Sequence, residues 1–228
     1  MMFDPAYFLF ALPALILALW AQARLSSTYA QAQQVPTRLS GAEAARMVLN
    51  AAGLTQVQIE PVAGELTDHY DPRAKVLRLS EHVFAGRSAA AVGIAAHEAG
   101  HALQDAHRYA PLVIRNMAVP VANLGSTAGI WLCIGGALFG FGPLVLVGIG
   151  LYSAVVAFQL VNLPVEFDAS NRAKHELEML SIAGPNEMVH VRKMLNAAAM
   201  TYVAGTLSAI STLLYLLFRF GGAGRSDD

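Results

Sequence analysis

The sequence has few charged residues and a single cysteine. Of its 228 residues only 14% are charged, and the formal net charge is −1. Soluble proteins usually have about 25% charged residues, so this composition is unusual for them. The charge balance gives no basic field of the kind that binds nucleic acid, and we expect no nucleic-acid partner. Cys133 cannot form an intrachain disulfide, which is compatible with a reducing compartment.

Three long stretches contain no charged residue: 5–23, 116–165 and 194–218. A bilayer-spanning helix needs about 20 mostly apolar residues, so the first and last stretches each fit one span. The middle stretch fits two spans joined at the turn-forming segment 140–143. We therefore predict four transmembrane helices, at about 5–23, 117–139, 143–163 and 198–218. Buried core helices of a soluble protein are the alternative, which apolar runs of this length disfavour.

The first span could also be read as a secretion signal, because Ala21-Gln22-Ala23 resembles a signal-peptidase site. However, no Lys or Arg precedes the apolar run, Asp4 does, and the run is long for a signal. A retained anchor is the favoured interpretation.

The remaining segments, about 24–115 and 164–197, lie on one side of a four-span protein. Most of the basic residues near span ends are in them: Arg24, Arg38, Arg108, Arg115, Arg172, Lys174, Arg192 and Lys193. The other side has only Arg219 and Arg225. The positive-inside rule therefore predicts that these segments are cytoplasmic, in a bacterial inner or cell membrane.

The predicted organisation has six parts. They are an N-terminal anchor (1–24), an α+β region (25–115), a transmembrane hairpin (116–163), a helical segment (164–197), a C-terminal transmembrane helix (198–220) and a tail (221–228).

The α+β region carries clear local signals. Ser40 and Glu43 are spaced as a capping box before a helix that should stop at Gly53. "ELTDHYDPRAKVLRLS" predicts a β-hairpin that turns at segment 71–74, with "KVLRLS" as its second strand. Ser88 is placed as the cap of a long helix over about 88–106.

That long helix contains His97-Glu98-Ala99-Gly100-His101, an H-E-x-x-H motif. Residues four apart share one face of a helix, so the imidazoles of His97 and His101 can bind one ion. Neutral imidazole is a favoured ligand of Zn²⁺, and Glu98 beside it can accept a proton from an activated water. The alternative is a surface helix with incidental histidines.

A catalytic zinc needs a third protein ligand. Glu166 is the first choice, because it follows the third span on the same face of the membrane as the motif helix. Asp168 is the alternative, and both could be ordinary interfacial carboxylates.

Several separate motifs now agree with one family. "ELTDHYDPRAKVLRLSEHVF", "AAVGIAAHEAGHALQ", "YAPL", "LPVEFDASNRA" and "LNAAAMTYVA" resemble the YugP-type membrane zinc metallopeptidases, over about residues 3 to 218. The resemblance implies a membrane α-helical bundle with a small α+β zincin-like catalytic region. It also implies His97, His101 and Glu166 as zinc ligands in a gluzincin-like site, with Glu98 as the catalytic acid/base.

More distantly, the chain is similar to HtpX and the CAAX prenyl proteases. Those relatives often have an aspartate four residues after the ligand glutamate, where this chain has Ser170. The group that orients the ligands is therefore open. Candidates are Asp168, Ser170, Asn171 and Arg172, together with Gln104 and Asp105 one turn beyond His101.

Two further hypotheses concern substrate. Tyr202, near the start of the fourth span, could donate to a tetrahedral oxyanion or could be an aromatic-belt residue. "KVLRLS" could act as an edge strand that binds an extended peptide, or could simply pair within the sheet.

The sequence thus predicts an integral membrane zinc endopeptidase acting on extended or membrane-proximal polypeptides. A metal-stabilised scaffold without activity and a CAAX-type processing protease are the alternatives. Lipid is the expected surrounding, and a homo-oligomer is left open because four spans are few for a closed chamber.

Overall fold

The computed structural model describes residues 5–220, so the predicted tail at 221–228 lies outside the described residues. The elements in chain order are α1 (Pro5–Gln33), α2 (Gly41–Ala51), β1 (Gln58–Val62), β2 (His69–Asp71), β3 (Val76–Ser80), α3 (Glu81–Phe84), α4 (Ala89–Ala106), α5 (Ala110–Leu124), a π-helical turn (Gly125–Gly129), α6 (Ile130–Leu138), α7 (Gly142–Met179) and α8 (Pro185–Phe220). The fold class is the predicted one, a membrane helical bundle with a small α+β region.

Four helices are long and apolar enough to cross a membrane: Pro5–Gln33, Ala110–Leu138, Gly142–Met179 and Pro185–Phe220. Each corresponds to one of the four predicted spans, and the second helix ends one residue before the predicted 117–139 span does. Three of them continue well past the charge-free stretches, because charged residues end an apolar run without interrupting backbone hydrogen bonds. Consequently the predicted helical segment 164–197 consists of the end of α7, the start of α8 and a short connection.

The chain divides into two compact units, of which the first holds residues 5–20, 113–164 and 201–220 of the described chain. Its buried cluster includes Cys133, Val145, Ile149 and Tyr215. Large apolar side chains such as Leu9, Leu138 and Phe139 are exposed. Exposed apolar side chains along long helices are what lipid-facing surfaces require.

The second unit holds residues 21–112 and 165–200. Its core is formed by alanine and branched aliphatic side chains, among them Val48, Leu77, Leu177 and Val191. Ser40 and Glu43 form the predicted capping box of α2, and Ser88 accepts a hydrogen bond from the amide of Ala91 at the start of α4. The predicted hairpin is present as β2 and β3, which pair antiparallel.

The strand "KVLRLS" is not an edge strand, so the edge-strand hypothesis was wrong and the alternative, pairing within the sheet, is confirmed. The sheet order is β1-β3-β2, and β3 pairs in parallel with β1 on its other side. Both sides of β3 are therefore occupied along most of its length. Just before β2 begins, the side chain of Asp68 accepts hydrogen bonds from the amide and hydroxyl of Ser80. The edge strands are β1 and β2, and β2 packs on α4.

Candidate metal centre

Helix α4 brings the two motif histidines together as its periodicity predicts. The ring centroids of His97 and His101 are 4.8 Å apart, with the ring planes at 83°. His101 is buried and His97 is half-buried, in a helix whose neighbouring residues are mostly alanine and glycine. The pair therefore presents two imidazoles from one helical face.

Helix α7 lies very close to α4 at this point. A Cβ atom built on Gly100 would lie 2.6 Å from the carbonyl oxygen of Ala169, which is shorter than any ordinary contact. Glycine at position 100 thus permits the close approach of the two helices. This approach brings the buried Glu166 of α7 to the motif histidines.

The three predicted ligands meet in the structure. Oε2 of Glu166 lies 3.3 Å from Nε2 of His97 and 3.8 Å from Nε2 of His101. Within residues 5–220, these three side chains form a group whose ligand atoms all lie within 4.8 Å of one another. Zinc–ligand bonds of about 2.0–2.2 Å in a tetrahedron place neighbouring ligand atoms roughly 3.3–3.6 Å apart. The His97–Glu166 distance lies in this range and the His101–Glu166 distance slightly exceeds it, so two imidazole nitrogens and one carboxylate oxygen form a donor set whose chemistry and spacing are compatible with zinc.

The outer nitrogen of each imidazole has a protein partner. Nδ1 of His97 lies 3.1 Å from Oγ of Ser170, and Nδ1 of His101 lies 3.0 Å from Oε1 of Gln104. Metal-binding histidines almost always use their second nitrogen in this way. Both Nε2 atoms are thereby directed to Glu166, which is a second observation in favour of a metal site.

The structure separates the candidate orienting groups. Ser170 and Gln104 contact the imidazoles directly. Asp168 instead accepts a hydrogen bond from the amide of Gln104 and pairs with Arg172. Asn171 is exposed.

The environment pushes the pKa values of the two histidines in opposite directions. Burial lowers the pKa of His101, and the neighbouring His97 lowers it further. Burial also opposes a charged His97, but the hydrogen bond with Glu166 and the charges of Glu98 and Glu166 outweigh it and raise the pKa. The surroundings thus favour the neutral form of His101, whereas His97 binds a proton more readily than an ordinary histidine.

Asp105 has a different role from the one considered for it. Its Oδ2 accepts a hydrogen bond of 2.7 Å from the hydroxyl of Tyr70 and forms an ion pair with Lys75. Burial and this hydrogen bond raise the pKa of Tyr70, which therefore keeps its proton and donates. Asp105 ties the β-hairpin to α4, a contact that the sequence did not predict because the partners are far apart along the chain.

Two predicted catalytic residues lie in different units. Glu98 is half-buried on α4 beside His97, and its charge contributes to the raised pKa of that histidine. Tyr202 lies on α8 in the first unit, and its backbone carbonyl accepts a hydrogen bond from the hydroxyl of Thr206. The catalytic roles of both residues stay predictions.

Comparisons with known proteins agree with these features. A family model described as "Putative neutral zinc metallopeptidase" matches residues 7–221. The chain is 46% identical over 209 residues to a Bacillus subtilis (strain 168) protein named "Putative membrane protease YugP". That match covers 91% of this chain and 93% of the relative. No solved structure matches the chain.

Proposed function

Because the chain belongs to this neutral zinc metallopeptidase family, we propose that it is an integral membrane zinc endopeptidase. One observation carries the proposal. Two imidazole Nε2 atoms and a carboxylate oxygen converge on one point, and each imidazole is hydrogen-bonded through its outer nitrogen. A gluzincin-type ligand set of two histidines and one glutamate has this chemistry.

In the proposed site, Nε2 of His97, Nε2 of His101 and a carboxylate oxygen of Glu166 hold the ion. Bound zinc supplies Lewis acidity, which polarises a carbonyl oxygen and lowers the pKa of water. The buried alanine and glycine residues around the site exclude bulk water, so that charges there act more strongly.

Glu98 is the proposed general base. It directly follows His97, and its negative charge acts on both motif histidines. Its carboxylate takes the proton of the attacking water and passes it to the leaving amine. A metal site with a purely structural role would have no use for this carboxylate.

Substrates are proposed to be extended or membrane-proximal polypeptides. Since β2 is an edge strand and packs on α4, it replaces "KVLRLS" as the candidate for strand addition. Four apolar helices embed the chain in lipid, and the distribution of Lys and Arg supports a cytoplasmic site in a bacterial inner membrane.

The sidedness can be tested with one engineered thiol. Glu65 is exposed in the loop before β2, so a Glu65→Cys, Cys133→Ala protein would carry one accessible cysteine. A membrane-impermeant maleimide should label inverted vesicles and leave intact cells unlabelled. Labelling of intact cells would place the catalytic unit on the outer face.

The function itself is tested on the detergent-purified full chain beside a Glu98→Gln variant. We expect about one zinc per chain in both proteins and cleavage of casein by the parent alone. Loss of zinc in Glu98→Gln would show that Glu98 has another role. Absence of zinc from both proteins would overturn the site.

Other outcomes would favour the alternative functions. Zinc in both proteins with no cleavage of casein or of membrane-protein substrates would favour a metal-stabilised scaffold. Cleavage of a prenylated peptide, with its unprenylated counterpart left intact, would favour a CAAX-type protease.

A further inference from the structure

Gln104 occupies an unusual position for an amide side chain. It is completely buried, one turn beyond His101 on α4. Its Nε2 donates to the backbone carbonyl of Val165 at 2.7 Å and to Oδ2 of Asp168 at 2.9 Å. Its Oε1 lies 3.0 Å from Nδ1 of His101. Both amide hydrogens and the amide oxygen are therefore used.

These contacts fix which way the amide points. A carbonyl oxygen and a carboxylate oxygen can only accept hydrogen bonds, so the group facing Val165 and Asp168 must be the NH₂. The reversed amide would set its oxygen against both acceptors in a site without solvent. Buried polar groups left unpaired in this way are strongly disfavoured.

The orientation of the amide in turn fixes the tautomer of His101. Because Oε1 can only accept, Nδ1 of the neutral imidazole must carry the hydrogen. The lone pair then lies on Nε2, which is the atom that faces Glu166. His97 has no comparable constraint, since its partner Ser170 is a hydroxyl that can donate or accept.

The same amide connects His101 to the helix of the third ligand. Val165 directly precedes Glu166, and Asp168 follows two residues later on α7. Asp168 is held by Arg172, whose Nε lies 2.6 Å from the same carboxylate oxygen. The acceptors that orient Gln104 are thus part of the element that carries Glu166.

We propose that Gln104 is a positioning residue that locks His101 in the Nδ1–H tautomer and so keeps its Nε2 lone pair directed at Glu166. Its effect on metal affinity rests on the proposed zinc function, whereas its effect on the tautomer does not. The carboxylate of Asp168 is connected to His101 through this amide.

The first test determines the tautomer of His101 from the ¹⁵N NMR spectrum of the histidines. The sample is the full-length protein in detergent, labelled with ¹⁵N-histidine and stripped of zinc. The spectrum is recorded at a pH where the imidazole is neutral. The signal of His101 is assigned by its loss in a His101→Asn variant. We expect the Nδ1–H form in the parent and a mixture of tautomers in Gln104→Met, which keeps the length of the side chain but cannot hydrogen-bond. An Nε2–H form in the parent would overturn the proposal.

The second test measures zinc affinity by competition with a chelator. Gln104→Met should bind zinc about 10–100-fold more weakly than the parent, the usual effect of removing a partner of a metal-binding histidine. Leu103→Met changes a buried neighbour on the same helix and should leave affinity within about twofold, since it conserves apolar volume. Equal affinity of Gln104→Met and the parent would overturn the positioning role.

The two tests also separate this proposal from the zinc function. A parent that binds no zinc would overturn the metal site and, with it, the effect on affinity. The histidine spectrum would still decide whether Gln104 fixes His101.

Discussion

Nε2 of His97 lies 3.3 Å from Oε2 of Glu166, although the two residues belong to different helices. The two helices come close enough for this distance because Gly100 of α4 packs directly on the backbone of Ala169 in α7. The candidate metal centre is therefore a property of a helix pair, and the predictions below change the ligands, their spacing or their surroundings one at a time.

Glu166→Gln removes the negative charge of the proposed third ligand. We expect zinc affinity to fall by more than the roughly 10–100-fold that loss of an outer hydrogen-bond partner causes. Glu176→Gln changes another glutamate of the same helix and serves as the control. Chelator competition gives both affinities, and an unchanged affinity in Glu166→Gln would exclude this residue as a ligand.

Gly100→Ala should push α4 and α7 apart, since the new methyl group would meet the backbone oxygen of Ala169. Overpacking of this kind costs about 1–3 kcal/mol of stability, and here it should also weaken zinc binding. Gly93→Ala is the matched control on the same helix, because its methyl group would meet side chains and no backbone: the flexible end of Met194 at 3.0 Å and a methyl group of Val191 at 3.3 Å. Thermal unfolding and zinc content should separate the two variants. Equal zinc content would mean that the helix approach does not set the site.

Zinc binding should weaken as the pH falls through the pKa of His97. Protons compete for Nε2 of His97, whose pKa is raised above its ordinary value because the carboxylates of Glu98 and Glu166 outweigh burial. Each displaced proton costs about tenfold in apparent affinity per pH unit below that pKa. Glu98→Gln removes one of the charges that raise the pKa, so its loss of affinity should begin at lower pH. A fall at the same pH in both proteins would contradict this origin.

Tyr70→Phe should loosen the β-hairpin from α4, because it removes the hydroxyl that donates to Asp105. Hydrogen bonds to charged groups contribute about 1.5–3 kcal/mol, and the remaining ion pair with Lys75 should hold the loss near the lower end. Hydrogen exchange of the β2 amides is the direct measurement. Tyr29→Phe, on another tyrosine that packs on the same core, should leave that exchange unchanged.

Tyr202→Phe tests the proposed oxyanion donor. Removal of such a donor usually costs about 10²–10³ in kcat, without loss of metal. We expect a fall of that size in casein cleavage with zinc content equal to the parent. A fully active variant would favour the aromatic-belt interpretation.

Local signals in the sequence predicted much of this fold. The capping box at Ser40, the cap at Ser88 and the stop at Gly53 act within one turn of a helix, so the residues that decide them are adjacent in the chain. The pairing of His97 with His101 follows from helical periodicity in the same way. The four apolar helices were predicted because lipid requires an unbroken run of apolar residues.

The approach of Glu166 to the motif histidines was predicted, but two other features that depend on distant partners were not. The parallel pairing of β1 with β3 joins residues on either side of β2, and no local pattern in "KVLRLS" indicates a second neighbour. The sequence left Gln104 and Asp105 as equal candidates for contact with His101. Packing against α7 and β2 separates them, since Val165 and Asp168 attract the amide whereas Tyr70 and Lys75 attract the carboxylate.

The side chain of Asp68 has a further consequence for the sheet. Its carboxylate accepts hydrogen bonds from the amide and the hydroxyl of Ser80, at the end of β3 that extends past the start of β2. An unpaired strand amide is a template on which a second chain can nucleate aggregation, and a charged side chain placed over it blocks that template. Asp68 thus covers the amide of Ser80 at the end of β3 that extends beyond β2, and leaves no such template there.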